Sequence, residues 1–257
     1  MLKKIIIAAT GFMALPAMAA METWNFSQNH SNGTLFNEYQ LDAGGVTMSA
    51  TAWSSSDFGN TVEDAKLVFW GDGLGVVNDQ ENVNDVPDHS TDNTGNDGFD
   101  MILLEFETAV NLSHLDLSWA TDDGGTNNDG AADMSVGAFT GAGTMDFASV
   151  SASKTWQEIV NLGWDTSSYN NINTSGYQAI NIASYSKYWL IGAYNTAFGA
   201  LNHTSFNDGV KLEGVKGTFD DEIPPPTGQV PEPGSLALFA GGLLALVLRR
   251  RSQNAKS

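Results

Sequence analysis

Met101-Ile102-Leu103-Leu104-Glu105-Phe106 is a nearly continuous apolar run, the pattern of a strand covered on both faces. Downstream, Leu115-Asp116-Leu117-Ser118-Trp119 repeats its apolar set at every second residue, so one face is buried and the other wet. The same reading extends outward from both stretches. Thr23-Trp24-Asn25-Phe26 and Val46-Thr47-Met48-Ser49-Ala50-Thr51-Ala52-Trp53 alternate, or nearly so, between apolar and small polar residues. Tyr188-Trp189-Leu190-Ile191-Gly192-Ala193 and Val210-Lys211-Leu212-Glu213-Gly214-Val215 read as closing strands. Val215 falls out of phase with Val210 and Leu212, and Gly214 offers the bulge that restores it. Gly, Asn, Asp and Ser fill the gaps, as loops and tight turns require. Only Thr155 to Leu162 reads as a helix, and a brief one. Short strands so spaced predict an all-β fold, a single jelly-roll-like β-sandwich over residues 21–222.

Both ends read as processing segments. Lys3 and Lys4 precede an apolar run from Ile5 to Leu15 that closes on Pro16-Ala17-Met18-Ala19, the layout of a signal peptide over residues 1–20. Cleavage by signal peptidase is expected after Ala19 or Ala20. At the other end, Pro224-Pro225-Pro226 lies in a linker over residues 223–229 that holds an extended, semi-rigid conformation. Residues 230–257 follow: Val230-Pro231-Glu232-Pro233-Gly234, an apolar run from Leu236 to Leu248, then Arg249-Arg250-Arg251. At the helical rise the run spans about 20 Å, short for a bilayer, and the arginines predict a cytoplasmic C-terminus.

These residues carry a family resemblance. Pro231-Glu232-Pro233, a short Gly/Leu/Ala-rich span and an arginine cluster, in that order, resemble the PEP-CTERM sorting signal. The resemblance implies recognition and removal of the tail by an exosortase, a membrane-embedded transpeptidase. In that role Pro231, Glu232 and Pro233 are recognition residues of a substrate, and Arg249, Arg250 and Arg251 complete the sorting motif. The inner membrane would hold the chain transiently, before release to the cell surface or extracellular matrix of a Gram-negative-type bacterium. Blocks in residues 22–107, among them Trp70-Gly71-Asp72-Gly73-Leu74-Gly75-Val76 and Pro87-Asp88-His89-Ser90-Thr91-Asp92-Asn93, are similar to exosortase-dependent surface proteins. That family brings an address and no established enzymatic activity.

Charge narrows the chemistry. Six of the 11 basic residues lie in the two terminal segments, while the 30 acidic residues lie almost wholly between them. So acidic a body repels nucleic acid and attracts divalent cations. With no cysteine, disulfides, a thiolate nucleophile and a Cys-zinc site are excluded.

The densest polar stretch runs from Asp72 to Asp100. Oxygen donors on a turning loop are what Ca²⁺ needs, and Asp88, Asp92 and Asn93 are the expected ligands, against the plainer reading of a solvated turn. Asp92-Asn93-Thr94-Gly95-Asn96-Asp97 lacks the glycine that an EF-hand has at its sixth position, so any such site has another design. Gly71-Asp72-Gly73-Leu74-Gly75 is turn chemistry, since no Lys-Ser/Thr follows it. The four histidines match neither a zinc-protease pattern nor a nucleophile elbow, and no carboxylate pair is singled out for glycoside hydrolysis. The expectation is a non-enzymatic exported surface or matrix protein, associated with exopolysaccharide or biofilm. The alternatives are a carbohydrate-binding sandwich that stacks sugar on Trp156 and Trp164, or, third, a secreted hydrolase.

Overall fold

The structure, a computed structural model, describes residues 20–219 apart from 28–29, 56–60, 72, 95–97, 125–129 and 203–205. The expected signal peptide up to residue 19, the expected linker and the sorting tail with its apolar segment lie outside the described residues. The chain separates into two compact units, Met1–Phe219 and Asp220–Ser257. Among the described residues no helix is long and apolar enough to cross a membrane.

The described strands are β1 (Met21–Asn25), β2 (Thr34–Phe36), β3 (Tyr39–Ala43), β4 (Val46–Ser55), β5 (Glu63–Trp70), β6 (Gly73–Val77) and β7 (Thr91–Asp92). They continue as β8 (Phe99–Thr121), β9 (Ala131–Phe139), β10 (Trp164–Asn173), β11 (Gln178–Ala179), β12 (Ser186–Ala193) and β13 (Gly209–Phe219). Two short helices, α1 (Phe147–Ser151) and α2 (Trp156–Val160), stand between β9 and β10. The helix expected from Thr155 is α2. Thr155 caps it, its hydroxyl accepting from the Glu158 amide while the Glu158 carboxylate accepts from the Thr155 amide.

The fold is all-β, but the expected pair of stacked jelly-roll sheets gives way to one hydrogen-bonded sheet that closes on itself. The order β13-β6-β5-β4-β8 returns to β13 because β8 also pairs with it, forming a five-stranded barrel-like ring. The remaining strands are peripheral, with β12, β9 and β10 extending the sheet beyond β8. Strand β8 causes the closure. The apolar runs at 101–106 and 115–119 are one 23-residue strand, with no Gly or Pro between them to end it. Its first part pairs with β4 and β12, and its second with β13 and β11.

Both faces of the first part of β8 are covered, as its apolar run requires. Ile102, Leu104 and Phe106 join the main core with Trp24, Leu67, Val76, Trp189 and Val215. Met101 and Leu103 face a second core with Trp53, Phe147, Trp156, Ile159 and Leu190, roofed by the two helices. In β13 the pairing with β8 skips Glu213 between Leu212 and Gly214, so Leu212 and Val215 both reach the interior.

Gly192 pairs with Met101, and a Cβ there would run into the backbone carbonyl of Asp100. Gly192→Ala must therefore push β12 off β8. The expected cost is about 1–3 kcal/mol, measured by denaturant unfolding; an unchanged midpoint would show that the two strands separate freely.

Candidate metal centre

Three carboxylates from three parts of the chain meet where β8 begins. Glu81, Asp92 and Asp100 each offer one oxygen, and these oxygens lie within 4.8 Å of one another. Asp100 is the second residue of β8. Strand alternation sets it on the inward face with Ile102 and Leu104, and it is 1% exposed. Asp92 ends β7, pairs with Gly209 of β13, and is also buried. Glu81 sits in the turn after β6. Its carboxylate accepts from the Asn78 amide at 2.7 Å, and the Asn78 side chain donates to Ser54 Oγ at 3.2 Å. Because Ser54 pairs with Asp100 across β4 and β8, Asn78 fastens the Glu81 turn directly above Asp100.

The polar contacts leave an oxygen over. Asp92 Oδ1 accepts from the Thr94 amide and hydroxyl, at 2.9 and 3.1 Å, while Oδ2 is buried and has no hydrogen-bond partner among the described residues. Burial, with the charges of Asp100 and Asp92, lifts Glu81 far above the ordinary carboxylate range. Burial and the Asp100 charge lift Asp92 in the same direction, against the two Thr94 bonds. Among the described residues no basic side chain offsets either carboxyl. Three carboxyls so placed must hold protons or share a cation. Oxygen-only donors select a hard divalent ion such as Ca²⁺, Mg²⁺ or Mn²⁺. The cluster could therefore chelate a divalent cation.

Of the three residues expected to bind metal, the structure brings only Asp92 to the cluster. Asn93 is a buried clamp. Its amide donates to the Tyr194 carbonyl and to Asp208, and its Oδ1 accepts from the Asp208 amide. Asp88 Oδ2 accepts from the Asn82 amide at 2.9 Å, and its charge reaches Glu81 and Asp92 from outside the triad. The preference for neighbours along one loop missed Glu81 and Asp100, which join it only through the fold. Asp100 carried a signal of its own, an acid on the inward face of the most apolar strand.

Trp156 and Trp164 do not offer ring faces to sugar. Trp156 is 3% exposed, and its indole donates to the Phe99 carbonyl at 3.1 Å. It opens α2, whose buried side roofs the second core. Trp164 is 7% exposed, opens β10, and packs against Phe139 and Phe147. Trp156 lies in the expected helix and Trp164 opens a strand, and the core covers both.

Comparison with known proteins bears on the tail. Residues 229–251 match the PEP-CTERM protein-sorting motif. The motif implies export, surface localisation and an exosortase as processing partner. No curated protein and no solved structure matches the chain.

Proposed function

We propose that this chain is a non-enzymatic surface or extracellular-matrix protein, released by exosortase after export and stabilised outside the cell by Ca²⁺. The sorting motif at 229–251 carries the reading. The acidic triad supports the calcium part. Its donor oxygens fall inside the roughly 5 Å that opposite Ca²⁺ ligands span, and Ca²⁺ tolerates the irregular geometry of a turn and two strand ends better than Mg²⁺ does. Ordered by a metal rather than by disulfides, the body would suit a structural place in an exopolysaccharide matrix.

Intact mass of the protein from its host, with cell fractionation, tests the sorting. The expected product begins near Ala20 or Met21, ends near Pro233 and lies outside the cytoplasm. Deleting residues 231–233 should leave the tail on and the protein in the membrane. Unchanged maturation of that deletion would sink the exosortase reading.

A further inference from the structure

Away from the triad, a cavity of about 370 Å³ is lined by Trp70, Val86, His89, Ser118, Trp119 and Lys211. Four parts of the chain build it: the end of β5, the loop before β7, and the β8/β13 seam, where Lys211 lies directly opposite Trp119. Gly73 permits the approach, because a Cβ there would fall 2.5 Å from Ser118 Oγ and 3.1 Å from Lys211 Cβ. Lys211 lies between Val210 and Leu212, which face the core, so alternation sends its side chain to the opposite face, into this cavity.

The polar groups here are set for a ligand rather than for one another. Lys211 is 5% exposed, with its ammonium 4.6 Å from the centre of the Trp119 ring, and among the described residues no carboxylate pairs with it. Burial lowers its pKa to about 8, so it remains largely charged at neutral pH. Ser118 Oγ is buried and has no hydrogen-bond partner among the described residues. His89 packs tilted against Trp70, with ring centres 4.2 Å apart, and its Nδ1 meets the Asp85 carbonyl, which makes Nδ1 the donor. Burial and the Lys211 charge hold its pKa below the ordinary value. The ring is then neutral, and Nε2 is left as an acceptor.

A lone buried cation, an unused hydroxyl, an imidazole acceptor and two half-buried indoles form a concave, mostly apolar site with a few polar anchors. We propose that this pocket binds an anionic sugar, a hexuronate whose carboxylate meets Lys211 while its ring packs on the indoles and its hydroxyls meet Ser118 and His89. A pyranose carries both the flat apolar face and the hydroxyls that these walls call for, which a small inorganic anion lacks. The pocket shares no residue with the acidic triad, and its binding does not depend on how the tail is processed.

The test is intrinsic tryptophan fluorescence of the full-length protein in detergent, in Ca²⁺-saturated buffer at pH 7, titrated with D-glucuronate, D-glucose or inorganic phosphate. Glucuronate should quench saturably, with glucose and phosphate at least tenfold weaker. Lys211→Met should weaken glucuronate at least tenfold. Ser118→Ala removes a hydroxyl that the fold does not use, so it should weaken glucuronate several-fold at unchanged Tm and keep the test open if Lys211→Met fails to fold. Equal response to glucose, full competition by phosphate, or affinity unaffected by the folded variants would overturn the assignment.

Discussion

Saturating Ca²⁺ should raise the melting temperature of the protein by roughly 8–16 °C over its value in chelator at pH 8. A ligand at about 1,000 times its Kd stabilises the folded state by ~4 kcal/mol, and a domain of this size gains about 2–4 °C per kcal/mol. The effect should depend on pH in a particular sense. Glu81 and Asp92 have folded-state pKa values raised above their unfolded ones, by burial first and by neighbouring carboxylates second. Below the ordinary carboxylate range both states are protonated and the groups contribute nothing. As pH rises from about 4, the unfolded chain gives up these protons while the folded chain keeps them, so stability in chelator must fall. Calcium displaces the same protons, and its affinity rises with pH. The calcium-dependent rise in Tm should therefore be small at pH 5 and large at pH 8. Glu81→Gln should behave in the opposite way, melting higher than the parent in chelator at pH 8 and responding little to calcium. Tm values indifferent to calcium at pH 8, or an equal response at pH 5 and pH 8, would leave the triad as a set of buried neutral acids.

The all-β class was legible because Leu115 to Trp119 alternates with the period of a strand, and Met101 to Phe106 is a short apolar run of strand length following a stretch rich in turn residues. How those strands assemble was not. Nothing in the composition of residues 107–114 shows that β8 runs unbroken and passes from one set of partners to another; Val110 and Leu112, both fully buried, continue the phase of Ile102 to Phe106, and an irregularity at Ser113 then shifts it to Leu115 and Leu117. Gly73-Leu74-Gly75 was read as part of a turn, but these residues open β6, a strand buried throughout. Its glycines serve close approach, since a Cβ at Gly75 would strike the backbone of His89 and Ser90. The candidate metal centre was half legible for a similar reason. Composition marked the acidic stretch, whereas the meeting of Glu81 and Asp100 is a long-range pairing, made when Asn78 bonds Ser54 across the barrel wall. Lys211 alternates with Val210 and Leu212 and so faces away from the main core; its burial depends on the Gly73 hairpin end closing over the β8/β13 seam. Residues whose roles follow from their own strand were readable, and those whose roles follow from a neighbour brought in by the fold were not.

Trp189→Ala should cost about 3–5 kcal/mol, the usual range for removing a buried tryptophan, and lower Tm by roughly 6–20 °C. Trp189 is fully buried in the main core, and its indole N–H is shared between the carbonyls of Val110 and Ser186, at 3.1 and 3.2 Å. Its strand neighbours Tyr188 and Leu190 point the other way, into the helix-roofed core. Strand β12 thus carries both cores on its two faces and joins the ring to β9 and β10. Trp189→Phe separates the contributions, keeping much of the ring volume while leaving both carbonyls without their donor, for a loss of about 1–3 kcal/mol. Thermal unfolding followed in parallel by far-UV and near-UV circular dichroism reads both variants. If β12 binds the two cores into one cooperative unit, each variant melts in a single transition, displaced to lower temperature and coincident by both probes. Two separated transitions in Trp189→Ala would mean that the helix-roofed core holds without the barrel, and that β8, not β12, is the strand on which cooperativity depends.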